Sequence, residues 1–268
     1  MKKKKLQYSR EHLIYLRRRR NKNALIIISR ILLLVIVLGI WELCAYLEVV
    51  DPFITSSPSR VIGAIVGWYN NGSLFLHIGV TLMETVIGFV IAAVAGYIIA
   101  ILLWSSEYLR KVLEPYVVVL NSLPKIALGP LIIIWMGTDY PTIIFMTVLV
   151  SVIVCIMNTL AGFVGVDKTK LLLMKSMGAK KFTTLRKLVI PASLPALMNT
   201  LKVAVGLAWI GSIMGEYVVS RAGLGYLIVY GGQVMKLDQV MAATFILALL
   251  AAAMYSIIAL IEKRITRY

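Results

Sequence analysis

The stretch from residue 174 to residue 191, MKSMGAKKFTTLRKLVIP, lies between two long apolar segments. It carries five basic residues (Lys175, Lys180, Lys181, Arg186 and Lys187), one glycine and a terminal proline. Its charge belongs in water, and the chain around it does not. Of 268 residues, 60% are hydrophobic and 15% charged, with a mean hydropathy of +0.89. That is too apolar for a soluble domain of this length. The chain reads as an all-α polytopic membrane protein, and the insert marks the side on which its loops meet water.

Six stretches are long and apolar enough to cross a hydrocarbon core, which takes about 20 residues as a helix. They are 24–47, 78–103, 116–136, 141–163, 196–219 and 240–261. Lys and Arg of short loops are retained on the cytoplasmic side. Residues 1–23 hold ten of them, 104–115 two, 164–195 seven and the C-terminal tail three, so 22 of 28 fall on one side. The alternate loops hold only Arg60, Arg221 and Lys236, while Arg30, Lys125 and Lys202 fall inside spans. Both termini are therefore expected in the cytoplasm. The expected organisation is a basic N-terminal tail (1–23), a first transmembrane helix (24–47) and an extracytoplasmic loop with a short helix (48–73). A five-helix core (74–262) with the insert at 167–190 and a cytoplasmic tail (263–268) complete it.

A net charge of +16 raises nucleic acid as a partner. Nucleic-acid readers gather charge on one soluble face, whereas here it sorts by membrane side, so membrane lipid is the expected partner and nucleic acid is not. The runs MKKKK and RRRR read as topogenic and attractive to anionic lipid. The 24–47 run is too long for a cleaved signal peptide, and no small-x-small cleavage site precedes the next polar stretch. Cys44 and Cys155 lie inside spans, and His12 and His77 are too few for a metal site. There is no Gly-Lys-Ser/Thr phosphate loop, H-E-x-x-H or G-x-S-x-G motif. The chain is read as carrying no catalytic machinery and binding no cofactor.

Between spans one and two, Ser57 is a good N-cap with Pro58 at the first helical position. Val61, Ile62, Ile65, Val66 and Tyr69 then recur at helical spacing up to the turn signal Asn70-Asn71-Gly72. Span two carries Gly79, Gly88 and Gly96, which let helices approach closely in lipid. It also carries Glu84, an acid at membrane depth, expected to face protein or a wet cavity. Span three, YVVVLNSLPKIALGPLIIIWMG, contains Asn121, Pro124, Lys125, Gly129 and Pro130. Such breaks free backbone carbonyls that lipid tolerates only where protein or a wet cavity satisfies them. The segment is expected at a bundle centre, lining a path or kinked for packing. Lys125 either attracts an anion or pairs with Glu84 or Glu216; Glu216 either gates the path or marks the water interface.

Within the insert, Asp167 can cap a short helix with Leu171, Leu172, Met174 and Met177 as its apolar residues, and Gly178 suits a left-handed C-terminal cap. A second helix should carry Phe182, Leu185, Leu188 and Val189 as one stripe, with Pro191 and Pro195 at its exit. So short a unit cannot bury its own stripe and needs a partner surface.

Gly178, nine residues, then Leu188-Val189-Ile190-Pro191 resembles the G-x9-I-x-L-P part of the cytoplasmic EAA loop of binding-protein-dependent ABC importer permeases. Leu172, Leu173 and Met174 stand where that loop has its E-A-A triplet. SPSRVIGAIV, SLPKIALGPLIIIWMG, NTLAGFVGVD and GEYVVSRAGLGYLI resemble, in order, the nitrate, sulfonate and taurine branch. The resemblance covers about residues 50–262. It implies a six-helix type I importer subunit in a bacterial plasma membrane, paired with a second copy of itself. Two ABC ATPase subunits that bind ATP and Mg, and an extracytoplasmic substrate-binding protein, would complete the assembly. It implies ATPase coupling through Met174, Gly178, Ala179, Phe182, Leu185, Leu188, Ile190 and Pro191. Candidates for the translocation path are Glu84, Asn121, Pro124, Lys125, Gly129 and Glu216. The expected function is import of a small solute such as a sulfonate, nitrate or taurine. The Pro124-Lys125 pair also resembles permeases of this branch for thiamine-precursor pyrimidines or related vitamins. A carrier driven by an ion gradient, with Glu84, Lys125 and Glu216 as a relay, is the competing class, and it leaves the insert unexplained.

Overall fold

The computed structural model describes residues 10–265, and they contain helices and no strand. The first nine residues of the basic tail, the last three of the C-terminal tail and the side chain of His12 lie outside the described residues. The chain divides into two units, Met1–Gly63 and Ala64–Tyr268.

In the first unit, α1 (Arg10–Tyr46) is one helix of 37 residues that runs through the expected span and back into the basic tail. Its apolar side chains from Leu25 to Ile40 are exposed all round, as suits a helix whose solvent is lipid. Asp51 starts the short α2 (Pro52–Thr55) by accepting the Phe53 N–H at 2.9 Å. Helix α3 (Pro58–Asn70) begins at the expected proline, with the Ser57 hydroxyl accepting the Arg60 N–H at 3.4 Å. Glu42, near the end of α1, accepts from both the Ser59 N–H (3.0 Å) and hydroxyl (2.7 Å), tying the two helices together. The expected stripe on α3 is shifted. Val61 and Trp68 are buried, whereas Ile62, Val66 and Tyr69 are exposed, because seven-residue spacing through Trp68 selects a neighbouring face.

The second unit is built on α4 (Leu74–Ser105), α7 (Tyr140–Val164) and α10 (Ile190–Val219), with α7 packed extensively against both others. Small residues make these crossings close. A methyl group on Gly88 would lie 2.5 Å from Thr147 Cγ2, one on Gly96 2.5 Å from Cys155 Cβ, and one on Gly211 2.6 Å from Thr147 Cα. Gly79 meets nothing and takes no part. Helices α11 (Leu224–Gln233) and α12 (Leu237–Ile265) pack on each other and on α10, and Lys202 pairs with Glu262 at 2.8 Å.

The third span departs from a plain crossing. Helix starts at Glu107 rather than near 116, because the Ser106 hydroxyl caps it through the Leu109 N–H (3.2 Å) and Glu107 pairs with Lys111 at 3.0 Å. The expected 104–115 loop is thus mostly helical. Helix α5 (Glu107–Ser122) stops before Pro124, a 3-10 turn follows at Lys125–Leu128, and α6 (Gly129–Met136) leaves at 81° to α5. Among the described residues five helices are long and apolar enough to cross a membrane, and this bent pair brings the number to six when it is taken as one span.

Span five is also longer than its 196–219 reading. Helix α9 (Lys181–Thr184), a π-turn at Leu185–Val189 and α10 join into one run of 39 residues, Lys181–Val219. Pro191 and Pro195 do not end the insert's second helix. The Ile190 N–H reaches back five residues to the Leu185 carbonyl, and this wider turn makes room where the Pro191 ring and its missing N–H would break a regular α-turn.

Candidate functional site: the basic insert and a buried polar cluster

Asp167 Oδ1 accepts the Thr169 N–H at 2.8 Å, which starts α8 (Lys168–Ser176) and holds the Asp167 carboxyl below its ordinary range. The helix ends in a Schellman motif. Gly178 is left-handed (φ +73°), its N–H bonds the Lys175 carbonyl at 3.0 Å, and the Ala179 N–H bonds the Met174 carbonyl at 3.0 Å. Met174, Gly178 and Ala179 are therefore the residues that make the turn.

Beyond the turn the expected single stripe splits. Leu185 and Val189 are buried with Ala100, Phe163 and Val166, and Leu188 and Ile190 pack against that cluster. Phe182 is 73% exposed, and Leu172, Leu173 and Met177 of the preceding helix and turn are exposed as well. The Leu185 N–H still bonds the Lys181 carbonyl, so the two share a regular turn; Leu185 meets the buried cluster of helix ends and Phe182, in the first turn of α9, does not. Pro191 is exposed at the head of α10. The insert thus roots itself on its own helix ends and leaves Leu172, Leu173, Met177 and Phe182 exposed in a segment that also exposes Lys175, Lys180 and Lys181.

Inside the bundle, α4 and α10 carry a polar cluster whose members recur at helical spacing. His77, Thr81, Glu84, Thr85 and Gly88 are all buried on one face of α4. Thr85 and Ser212 hydroxyls lie 2.6 Å apart. Above them the N-terminus of α11 is held by three side chains in succession. His77 Nδ1 accepts the Gly223 N–H at 3.0 Å, Thr81 Oγ1 accepts the Leu224 N–H at 2.8 Å, and Glu216 accepts the Gly225 N–H. Gly223 (φ +116°) must be glycine twice over, since a Cβ there would also strike the Glu216 carboxyl. Glu84 is 0% and Glu216 1% exposed. The water-interface reading of Glu216 is therefore wrong: the chain after α10 folds back and covers it.

The structure brings Glu84 and Glu216 together as neighbours and leaves Lys125 elsewhere. Lys125 Nζ donates to the Asn121 carbonyl at 2.9 Å, one of those freed at the break before Pro124, so it pairs with neither glutamate. Gly129 is buried against Met146, and Pro124 is exposed. Sequence reading missed Thr81, Thr85, Ser212 and Glu42. The first two repeat at four-residue spacing around Glu84, a signal that was available; Ser212 and Glu42 became legible only once helices met.

The described residues thus form an all-helical membrane protein with five helices able to cross, six when the bent pair is one span, and a capped helical insert ahead of α10. Residues 88–267 match the family described as binding-protein-dependent transport system inner membrane component, and the chain belongs to that family. It is similar to the putative aliphatic sulfonates transport permease protein SsuC of Bacillus subtilis (strain 168), 26% identical over 89% of this chain and 86% of that one. It is also similar to the formylaminopyrimidine transport permease protein ThiX of Halalkalibacterium halodurans, 29% identical over 70% of this chain and 74% of that one. Among solved structures, an inward-facing form of the MetNI methionine ABC transporter superposes with a TM-score of 0.65 at 20% identity, covering 72% of this chain and 96% of that one. The resemblance read from the insert and the four ordered stretches is borne out. The chain is a multi-pass membrane permease of an ABC importer.

Proposed function

We propose that two copies of this chain enclose the path for a small solute and that the insert docks on cytoplasmic ATPase subunits, where ATP and Mg bind. The observation that carries this reading is the exposure of four large apolar side chains, Leu172, Leu173, Met177 and Phe182, on a unit otherwise fastened into the core. An exposed apolar patch with a polar rim marks an interaction surface. Docking there moves the permease only if the insert is gripped differently in two ATPase states. The leucines at the E-A-A positions make that grip a matter of shape and apolar contact. The broken third segment, with α5 wholly without buried residues, offers the face for the second copy and the path.

A small oxyanion or zwitterion such as a sulfonate, nitrate or taurine is the proposed solute, supported by likeness to the sulfonate permease. Likeness to the formylaminopyrimidine permease favours a thiamine-precursor pyrimidine as the second reading. An extracytoplasmic binding protein would do the selecting, on the face opposite the cytoplasmic termini. The ion-gradient carrier loses its relay, because Lys125 is engaged with Asn121. The test is to reconstitute the permease with candidate ATPases and the binding protein in vesicles, after identifying the binding protein's ligand by calorimetry. ATP-dependent uptake of that ligand supports the reading. Uptake by the permease alone on an ion gradient overturns it.

A further inference from the structure

The buried carboxyl pair has too few hydrogen-bond donors for two ionised acids. Of its four oxygens, three have no hydrogen-bond partner: both of Glu84 and Oε1 of Glu216. Only Glu216 Oε2 is served, by the Gly225 N–H, with Thr81 and the Tyr226 amide beside it. Among the described residues no Lys or Arg is ion-paired to either. The titratable side chains nearby are His77 of α4, Tyr217 of α10 and Tyr226 of α11. His77 is committed through Nδ1 to the Gly223 N–H and stacks on Tyr226 at 6.1 Å, while α7 presents Thr147 to Gly88 and Gly211 and Ile143 to Gly215. An ionised carboxylate is an acceptor only, whereas a protonated one brings a donor. Two adjacent buried anions without cations are among the most unfavourable arrangements a protein interior can hold.

We propose that Glu84 and Glu216 form a one-proton site: the proton resides on Glu84, whose O–H donates to Glu216 Oε1, leaving Glu216 as the single carboxylate that caps α11. The assignment of the proton follows from the donors. Glu216 already accepts a backbone N–H, and Glu84 accepts nothing. One negative charge then faces the N-terminus of a ten-residue helix, where the exposed N–H groups and the dipole favour an anion. The pair joins α4, α10 and α11 through one O–H···O⁻ bond, a strong class of hydrogen bond. It also lets an acid sit at this depth without a basic partner, so Glu84 is a positioning residue for the α11 cap.

The test is infrared spectroscopy of the full-length permease at neutral pH, with glutamate labelled at its side-chain carboxyl carbon. Among the described residues only Glu84 and Glu216 are buried acids, so a protonated-glutamate carbonyl band that shifts in heavy water belongs to this pair. Its presence in the wild type, and its loss in Glu84→Gln, are expected. Glu84→Gln should keep the wild-type melting temperature because its amide N–H replaces the O–H, while Glu84→Ala and Glu216→Gln should melt lower. Absence of the band in the wild type overturns the proposal, even if the variants fail to fold. Survival of the band in Glu84→Gln overturns it as well. So does a melting temperature that rises with sodium or potassium over choline in the wild type but not in Glu84→Gln, which would make this a metal-cation site.

Discussion

Replacing Gly178 by valine separates the role of the turn from that of the patch it presents. Gly178 sits at φ +73°, and no atom lies within 4 Å of where its Cβ would be, so the substitution introduces no clash. What it introduces is backbone strain: a left-handed residue with a side chain costs about 1–2 kcal/mol, more for a β-branched one. Both Schellman bonds, Gly178 N–H to Lys175 and Ala179 N–H to Met174, depend on that conformation. Because α8 has only nine residues and no buried side chain, the strain should open the turn locally and leave the spans in place. If docking requires the closed turn, affinity for the ATPase subunits should fall by about 5–30-fold, the equivalent of 1–2 kcal/mol. Gly178→Asn should fall much less, because asparagine tolerates the left-handed region. The assay is titration of ATPase subunits onto bilayer-embedded permease, with membrane insertion checked separately. Equal affinity of wild type, Val and Asn variants would refute the claim that this turn shapes the docking surface.

Gly211→Ala should lower the melting temperature well below that of Gly206→Ala. The first Cβ would meet Thr147 backbone at 2.6 Å and the second meets nothing, a difference of about 1–3 kcal/mol from overpacking; matching melting curves would contradict it. A double-mutant cycle of Thr85→Val and Ser212→Ala should give an interaction of about 0.5–1.5 kcal/mol for their buried bond, and strict additivity would deny it. Deleting Arg186, an exposed residue of the π-turn, should restore a regular helix and rotate Lys181–Thr184 by about 100°. ATPase binding should then be lost with insertion retained, and unimpaired binding would show that the phase of Phe182 is irrelevant. Because its bond to the Thr169 N–H holds the Asp167 carboxyl low, that bond's contribution to α8 is fully present above the ordinary aspartate value, about 3.9. It is lost only as pH falls through the lowered value. Hydrogen exchange at α8, corrected for its intrinsic pH dependence, should therefore show constant protection between about pH 8 and 5; a loss of protection within that window would contradict it.

The parts of this molecule that depend on local chemistry were legible in the sequence. The Asp167 cap, the left-handed Gly178 and the Ser57-Pro58 start each need only residues within a few positions, and each stands where it was expected. Span positions were legible for the same reason, since a run of apolar residues is judged against lipid alone. The misreadings share a different cause. Treating Pro191 as a helix end assumed a regular α-turn, yet a π-turn absorbs the proline. The split between exposed Phe182 and buried Leu185 is tertiary: Leu185 lies against Ala100, Phe163 and Val166, which come from other helices. Of the two readings open for Glu216, the interfacial one fails because its cover, Gly223 to Gly225, comes from chain that reverses after Val219, a tertiary event that helical periodicity does not encode. For Lys125, the alternative of pairing with Glu84 or Glu216 rests on charge alone, whereas the break at Pro124 supplies a nearer carbonyl, that of Asn121.

The run from Lys181 to Val219 has a mechanical consequence. At about 1.5 Å per residue, its 39 residues form a rod about 58 Å long. One end is the insert, and the other holds Glu216 beneath the start of α11. Gly211 and Gly215, pressed against Thr147 and Ile143, mark where the rod bears on α7. The helix therefore joins the insert to the residue that caps α11 with no loop between them.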